Sequence, residues 1–311
     1  MVHLVIGRLA ALGILGVAIA GVVPRGAMRQ AAGMSQHLLP ELSENTATGR
    51  IAAIYQEVRL FSGVPYVSSL QRYLATLPGV LEWAWDAVRP ALASGTAQEA
   101  GWDLARSVRL EPPVPADAAA LRLSDADIAA IRNIAANFVR VSPVNLMTGA
   151  CLRLLLTGTQ PAGGGFTPGW MPPAMLPPMP GNVDPAVLPD TERAALMRFA
   201  TEMNGSAFVP ALYRQLAHWP TMLAWLADAL APLFQAKATL ALGERFRTEA
   251  RGAAGAIVAR LPGLPKADPP APATVEQVLG AIDRYAHTSP EMTLFGQFIL
   301  DAFPPRPAAS A

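Results

Sequence analysis

The chain has 311 residues, 52% hydrophobic and 15% charged, with a formal net charge of +1. That is enough length and apolar content for two lobes with buried cores, and the dispersed charges form no basic stripe, which argues against a nucleic-acid partner. Cys151, the single cysteine, excludes an intramolecular disulfide and a paired-thiol redox motif, and His3, His37, His218 and His287 are too scattered for HExxH or an i, i+4 ligand pair, so neither metal nor cofactor is expected.

The amino-terminal apolar run, Leu9 to Val23, spans about fifteen residues and carries three glycines, short of the roughly 20 that a membrane-spanning helix needs. Residues 1–33 are therefore read as an extension. Arg8 gives it a single early positive charge, no small-x-small cleavage site follows, and Pro24, Arg25 and Arg29 lead to a second possible start at Met34. A start at Met34 would leave a cytoplasmic protein; the alternative is export or anchoring through residues 1–23. The body is not expected to be membrane-embedded.

Past the extension, apolar residues recur at three- and four-residue spacing, the helical period. Ile51, Ile54, Tyr55 and Val58 share one face. After a turn around Gly63 to Pro65, a helix is expected over about Val67 to Leu77, then one from Pro78 carrying Leu81, Ala84, Trp85 and Val88, which Pro90 must bend or end. A further helix near Thr96 to Leu110 stops before Pro112, Pro113 and Pro115. Ser124 with Asp127 three residues on reads as a capping box opening the next helix, which carries Cys151 as a buried apolar filler. From Gly158 to Asp190, nine prolines and six glycines exclude regular structure. Met171, Met175, Leu176 and Met179 argue that this linker lies on an apolar surface. Later, Pro262, Pro265, Pro269, Pro270 and Pro272 break the chain, and Thr274 with Gln277 reads as another capping box.

The chain also repeats itself. Val67–Pro90 returns without a gap as Val209–Pro232: Val67, Arg72, Leu74, Ala75, Pro78, Leu81, Trp83, Asp86, Ala87 and Pro90 meet Val209, Arg214, Leu216, Ala217, Pro220, Leu223, Trp225, Asp228, Ala229 and Pro232. The expected fold is all-α, with tandem helical repeats at 38–157 and 191–304 forming a pseudo-dimer. They are joined by the Pro/Gly-rich linker at 158–190 and followed by a tail at 305–311. A ligand site would lie at the seam between the repeats, where duplicated side chains are free to diverge. Homo-oligomerisation is left open.

The runs Thr46-Ala47-Thr48-Gly49-Arg50, Ile54-Tyr55-Gln56-Glu57-Val58-Arg59 and Val64-Pro65-Tyr66-Val67, then Arg72 with Leu74-Ala75-Thr76-Leu77-Pro78, and later Leu216-Ala217-His218-Trp219-Pro220, resemble the group I 2-haloacid dehalogenases, enzymes acting on both D and L 2-haloacids. The resemblance covers roughly Leu38 to Pro304. It implies an all-helical, AhpD-like pseudo-dimer and hydrolysis of the carbon–halogen bond of a small organic acid, in which a carboxylate activates water that attacks C2 directly.

Carried over by position, the resemblance puts the family's catalytic aspartate at Leu212, its neighbouring serine at Ala211 and its water-holding asparagine at Ser142, before Pro143. A tyrosine three residues beyond that asparagine falls on Asn145, and the tryptophan and phenylalanine of the pocket wall fall on Tyr66 and Ser69. All six positions differ from the family pattern, and leucine cannot act as a base. Arg72 and Arg214 recur in register beside these positions and could clamp a carboxylate through paired hydrogen bonds, or brace the interface between repeats. Tyr213 is expected in the same cleft.

Among other acids, Asp86 and Asp228, both retained by the repeat, read as substitute bases meeting at the pseudo-twofold interface or as surface ion pairs, Asp125 and Asp127 as helix-start residues, and Glu202, before Asn204-Gly205, as an ordinary helix end or a base reaching the seam. Trp83, Trp219 and Trp225 read as core aromatics and His218 as a surface or packed histidine. No GxSxG or phosphate-binding loop is present, since Gly163-Gly164-Gly165 follows no strand. Two functions remain: a hydrolase of halogenated or related organic acids with an unidentified base, or a paralogue that binds a small organic acid or other small molecule and has lost the reaction.

Overall fold

The three- and four-residue spacing of apolar side chains is realised as ten α-helices among the residues that the computed structural model describes, 39–203 and 206–305. The expectations for the amino-terminal extension, Met34 and the end of the tail lie outside them. Helix α1 (Gly49–Ser62) buries Ile54, Tyr55 and Val58 and stops at Gly63, whose φ of 60° lets its N–H return to the carbonyls of Arg59 and Leu60. Helix α2 occupies only Ser69–Leu74. The chain beyond it tightens into three-residue hydrogen bonds, Thr76 to Tyr73 and Leu77 to Leu74, before Pro78.

Helix α3 (Val80–Ala93) buries Leu81, Ala84, Trp85 and Val88 as expected from their spacing. Pro90 does not end it: the helix runs on for its last turn, with the N–H of Ser94 on the carbonyl of Pro90. Helix α4 (Thr96–Ser107) stops short of Leu110. Ser124 and Asp127 form the capping box that opens α5 (Asp125–Leu156).

A short 3-10 turn at Pro185–Val187 leads to α6 (Asp190–Met197). Two short antiparallel strands, β1 (Thr201–Met203) and β2 (Ser206–Phe208), then interrupt the helical pattern. Glu202 lies in β1, opposite Ala207 and exposed, and is neither a helix end nor a group facing the seam. Helices α7 (Ala211–Leu216), α8 (Pro220–Leu230), α9 (Lys237–Arg260) and α10 (Pro272–Ala302) complete the chain. The capping box at Thr274 does not form. Pro272 takes the first helical position, where its missing N–H costs nothing, so Thr274 and Gln277 lie inside α10.

Two apolar cores result. One gathers Leu81, Trp83, Trp85, Leu152, Phe246 and Val258; the other gathers Phe199, Leu212, Tyr213, Leu226, Phe295 and Phe298. Both long helices belong to both: α5 gives Ile131 and Phe138 to the second and Leu152 to the first, and α10 gives Ile282 to the first and Ile299 to the second. Their mutual packing is the most extensive between any two elements. It depends on Gly296, where a Cβ would stand 2.8 Å from Cγ2 of Val139 and 3.3 Å from the carbonyl of Ala135. Helix α5 is long and apolar enough to cross a membrane by length and composition alone, yet it is mostly buried inside the fold, as a central core helix is.

The Pro/Gly-rich segment 158–190 is tied down along its length. The ring of Trp170 covers Gly95, Pro173 lies on Gly63, and Arg140 donates to the carbonyls of Gly63 and Ala174. Asn133 donates to the carbonyls of Pro177 and Pro178. Met179 packs on the second core, while Met171 and Met175 are exposed.

Candidate binding cavity between the long helices

A cavity of about 460 Å³ opens between α2, α5, α7 and α10. Phe138, Val141, Ser142 and Asn145 line it from α5, and Tyr285, Thr288, Ser289 and Met292 from α10. Each set follows the i, i+3, i+4, i+7 spacing of one helical face. The two sets correspond one to one at a constant separation along the chain. The same holds for Tyr66, Ser68 and Ser69 ahead of and within α2, against Phe208, Pro210 and Ala211 ahead of and within α7. Pro178 to Asn182 of the proline-rich segment close one side.

Six of the nine residues expected in the site line this cavity: Tyr66, Ser69, Arg72, Ser142, Asn145 and Ala211. Leu212 does not. Its side chain is 0% exposed and belongs to the second core, because one step along a helix turns a side chain about 100° away from its neighbour's direction. Arg214 is also elsewhere: its Nε donates to the carbonyl of Val183, and Val183 N–H returns to the carbonyl of Arg214. Tyr213 stacks on Phe199 at 4.2 Å and donates its hydroxyl to Glu291, away from the cavity lining. Tyr285, Thr288, Ser289, Met292, Phe138 and Phe208 escaped the sequence reading. The signal for them was the Ser-Pro pair, which occurs in α5 as Ser142-Pro143 and again in α10 as Ser289-Pro290.

The remaining candidates sit outside. Asp86 pairs with Arg50 and Asp228 with Arg198 on the surface. Asp127 accepts from Ser124 and from the indole N–H of Trp219, and these bonds hold its carboxyl below the usual range. His218 contacts the carbonyl of Gly181 through Nε2. Cys151 is buried, which pushes its thiol up to about 12 and leaves it protonated and inert. Among the described residues no group of three or more His, Cys, Asp or Glu could hold a metal ion.

Among the described residues Arg72 is the one charged side chain in the lining. Its Nη2 pairs with Glu41 at 2.7 Å, while its Nε is buried without a hydrogen-bond partner. The hydroxyl oxygen of Tyr66 is likewise buried and unpartnered, and burial raises its pKa although Arg72 opposes the rise. Burial also pushes Tyr285 up to about 12, so both phenols stay neutral and able to donate. Oδ1 of Asn145 accepts from Ser68 at 2.9 Å and from Gln71 at 3.3 Å, which leaves its NH₂ end for the cavity. Thr288 and Ser289 spend their hydroxyl protons on the carbonyl of Tyr285. The unspent groups are therefore mostly donors, suited to a carbonyl or carboxylate ligand. Among the described residues no Asp, Glu, His or Cys lines the cavity.

No protein-family model matches the chain. It is similar to a configuration-inverting 2-haloacid dehalogenase of Alcaligenes xylosoxydans xylosoxydans, with 27% identity over 235 residues that cover 72% of this chain and 78% of the relative. Its fold is also that of solved D-2-haloacid dehalogenase structures. A mutant aligns with a TM-score of 0.63 at 19% identity, a complex with L-LA at 0.61 and 19%, and a mutant complex with D-2-CPA at 0.60 and 20%. Each alignment covers 84% of this chain and 96% of the other. Over most of its length this chain is similar in sequence to a 2-haloacid dehalogenase, and it shares the all-helical fold of the solved D-2-haloacid dehalogenases.

Proposed function

We propose that this dehalogenase-like protein binds a small organic acid in the cavity between α5 and α10 without cleaving a carbon–halogen bond. The observation that carries the reading is the lining itself. Among the described residues it offers a guanidinium, two phenols, hydroxyls and three amides, and no carboxylate or imidazole to take a proton from water. General base catalysis needs such a group within hydrogen-bond reach of the water, and its loss alone costs about 10² to 10⁴ in rate. The position that the family resemblance assigns to the base is Leu212, buried among Phe199, Leu216 and Leu226 in the second core. The pairwise correspondence of lining residues supports a two-repeat pseudo-dimer with the ligand at its seam. The reading is tested by incubating the protein with D- and L-2-chloropropanoate under NMR observation. The acids are expected to show binding-dependent line broadening and to be recovered unchanged; appearance of the 2-hydroxy acid would refute it.

A further inference from the structure

The cavity has two chemically different ends. Helix α2 packs against α10 and α7 against α5, so Ser69 and Arg72 share one end with Tyr285, while Phe208, Pro210 and Ala211 share the other with Phe138 and Val141, and Gln215 is the one polar side chain that α7 adds there, its Oε1 buried without a partner. Ser69 bonds Tyr285, and Ser68 bonds Asn145, which places that amide at the polar end. Across the corresponding positions, Ser69 becomes Ala211, Ser68 becomes Pro210, Tyr66 becomes Phe208 and Asn145 becomes Met292. The reverse exchanges, Tyr285 for Phe138 and Thr288 for Val141, fall on the long helices. Because each long helix meets the opposite short one, they sharpen the same gradient. Two polar atoms at the polar side, Nε of Arg72 and the hydroxyl of Tyr66, are buried with no partner in the protein, a cost that an acceptor on a ligand would remove.

Size points the same way. A volume of about 460 Å³ lies in the range of drug-sized ligand sites, ~300–1,000 Å³. A short 2-haloacid, with about six non-hydrogen atoms, would fill less than half of it at roughly 30 Å³ for each water-sized group.

Building on the reading of this cavity as an acid-binding site, we infer that its ligand is an amphipathic monocarboxylate of medium chain length. The carboxylate accepts from Nε of Arg72 and the hydroxyl of Tyr66, and the hydrocarbon body runs from Phe138, whose ring lies 6.1 Å from that of Tyr66, to Phe208 and Ala211. The test is calorimetric titration of the full chain with octanoate, octanamide and 2-chloropropanoate, with halide release from 2-bromooctanoate followed in parallel. Octanoate is expected to bind at least tenfold tighter than either of the others. Ala211→Trp, which fills the apolar end, should remove the advantage of octanoate over 2-chloropropanoate, and Arg72→Gln the advantage over octanamide. Equal or tighter binding of 2-chloropropanoate, equal binding of octanamide, or no binding of octanoate would overturn the inference; the comparison within the unmodified protein decides even where a variant fails to fold. Tight octanoate binding with halide release from 2-bromooctanoate would uphold the ligand class and sink the non-hydrolytic reading. Neither binding of octanoate nor halide release would do the opposite.

Discussion

Ser142 and Ser289 line one cavity from two different helices, and each is followed by a proline inside its helix. Proline supplies no N–H to the carbonyl four residues back, so α5 and α10 each carry a weakened turn beside the cavity. The most extensive contact in the fold and its candidate site are thus built on the same stretch of the same two helices.

Ala211 and Leu212 predict responses of very different size to the same substitution. Leu212→Asp would place a carboxylate among fully apolar neighbours and should destabilise by about 4 kcal/mol or more, since an unpaired charge and a lost leucine both count against it. Ala211→Asp, at a partly exposed position facing the cavity, should cost within about 1 kcal/mol. Urea denaturation of the two variants gives the comparison; equal losses would mean that the orientation of α7 is wrong.

Glu57 accepts from the indole of Trp85 and from Arg89, and the bond to Arg89 is the first cause that holds its carboxyl below the ordinary value of 4.5. A depressed carboxylate contributes stability above its unfolded pKa and loses it as the pH falls through the folded one. Glu57→Gln should therefore cost about 1 kcal/mol near neutrality, where solvent partly screens the pair. That difference should shrink as the pH drops below about 4.5. A gap between the two proteins that stays constant down to the acid transition would contradict this assignment.

Gly95 has φ of 75°, and a Cβ there would come 2.3 Å from the indole of Trp170. Gly95→Ala should cost about 1–3 kcal/mol through strain and displaced packing. It should also shift tryptophan emission to the red as Trp170 leaves its place. Unchanged stability and emission would show that the proline-rich segment does not rest on α4.

Gly296 lets α10 approach α5. Gly296→Ala would drive its methyl against Val139, a stiff side chain, and should lower stability by about 1–3 kcal/mol, although alanine is the better helix former. Thermal unfolding decides the sign; a stabilised variant would mean that the helices have room to part.

Much of this architecture is legible in the residues. Three- and four-residue spacing gives the buried faces of α1 and α3, and Ser124 with Asp127 marks the start of α5, because those signals are local. The internal repeat Val67–Pro90 leads to α2 and α7, the short helices at the two ends of the cavity. Direction within a helix was not legible. Alignment placed Leu212 beside Ala211 in one site, but only packing reveals that the two side chains part. Arg214 was lost to a segment distant in sequence, whose Val183 engages it, and Thr274 lost the start of α10 to Pro272, which suits the first turn better. The residues of α10 in the cavity were visible only as a second Ser-Pro pair, a signal too short to stand without the fold.

The central proposal is that no side chain among the described residues lining this cavity activates water. The most direct measurement is the initial rate of halide release from saturating D- and L-2-chloropropanoate, D- and L-2-bromopropanoate and 2-bromooctanoate, near neutral pH. The rate should equal that of buffer alone for every acid. Enzyme-dependent release from any of them, proportional to protein concentration and abolished by Ala211→Trp, would mean that a base reaches the cavity and that the account is wrong.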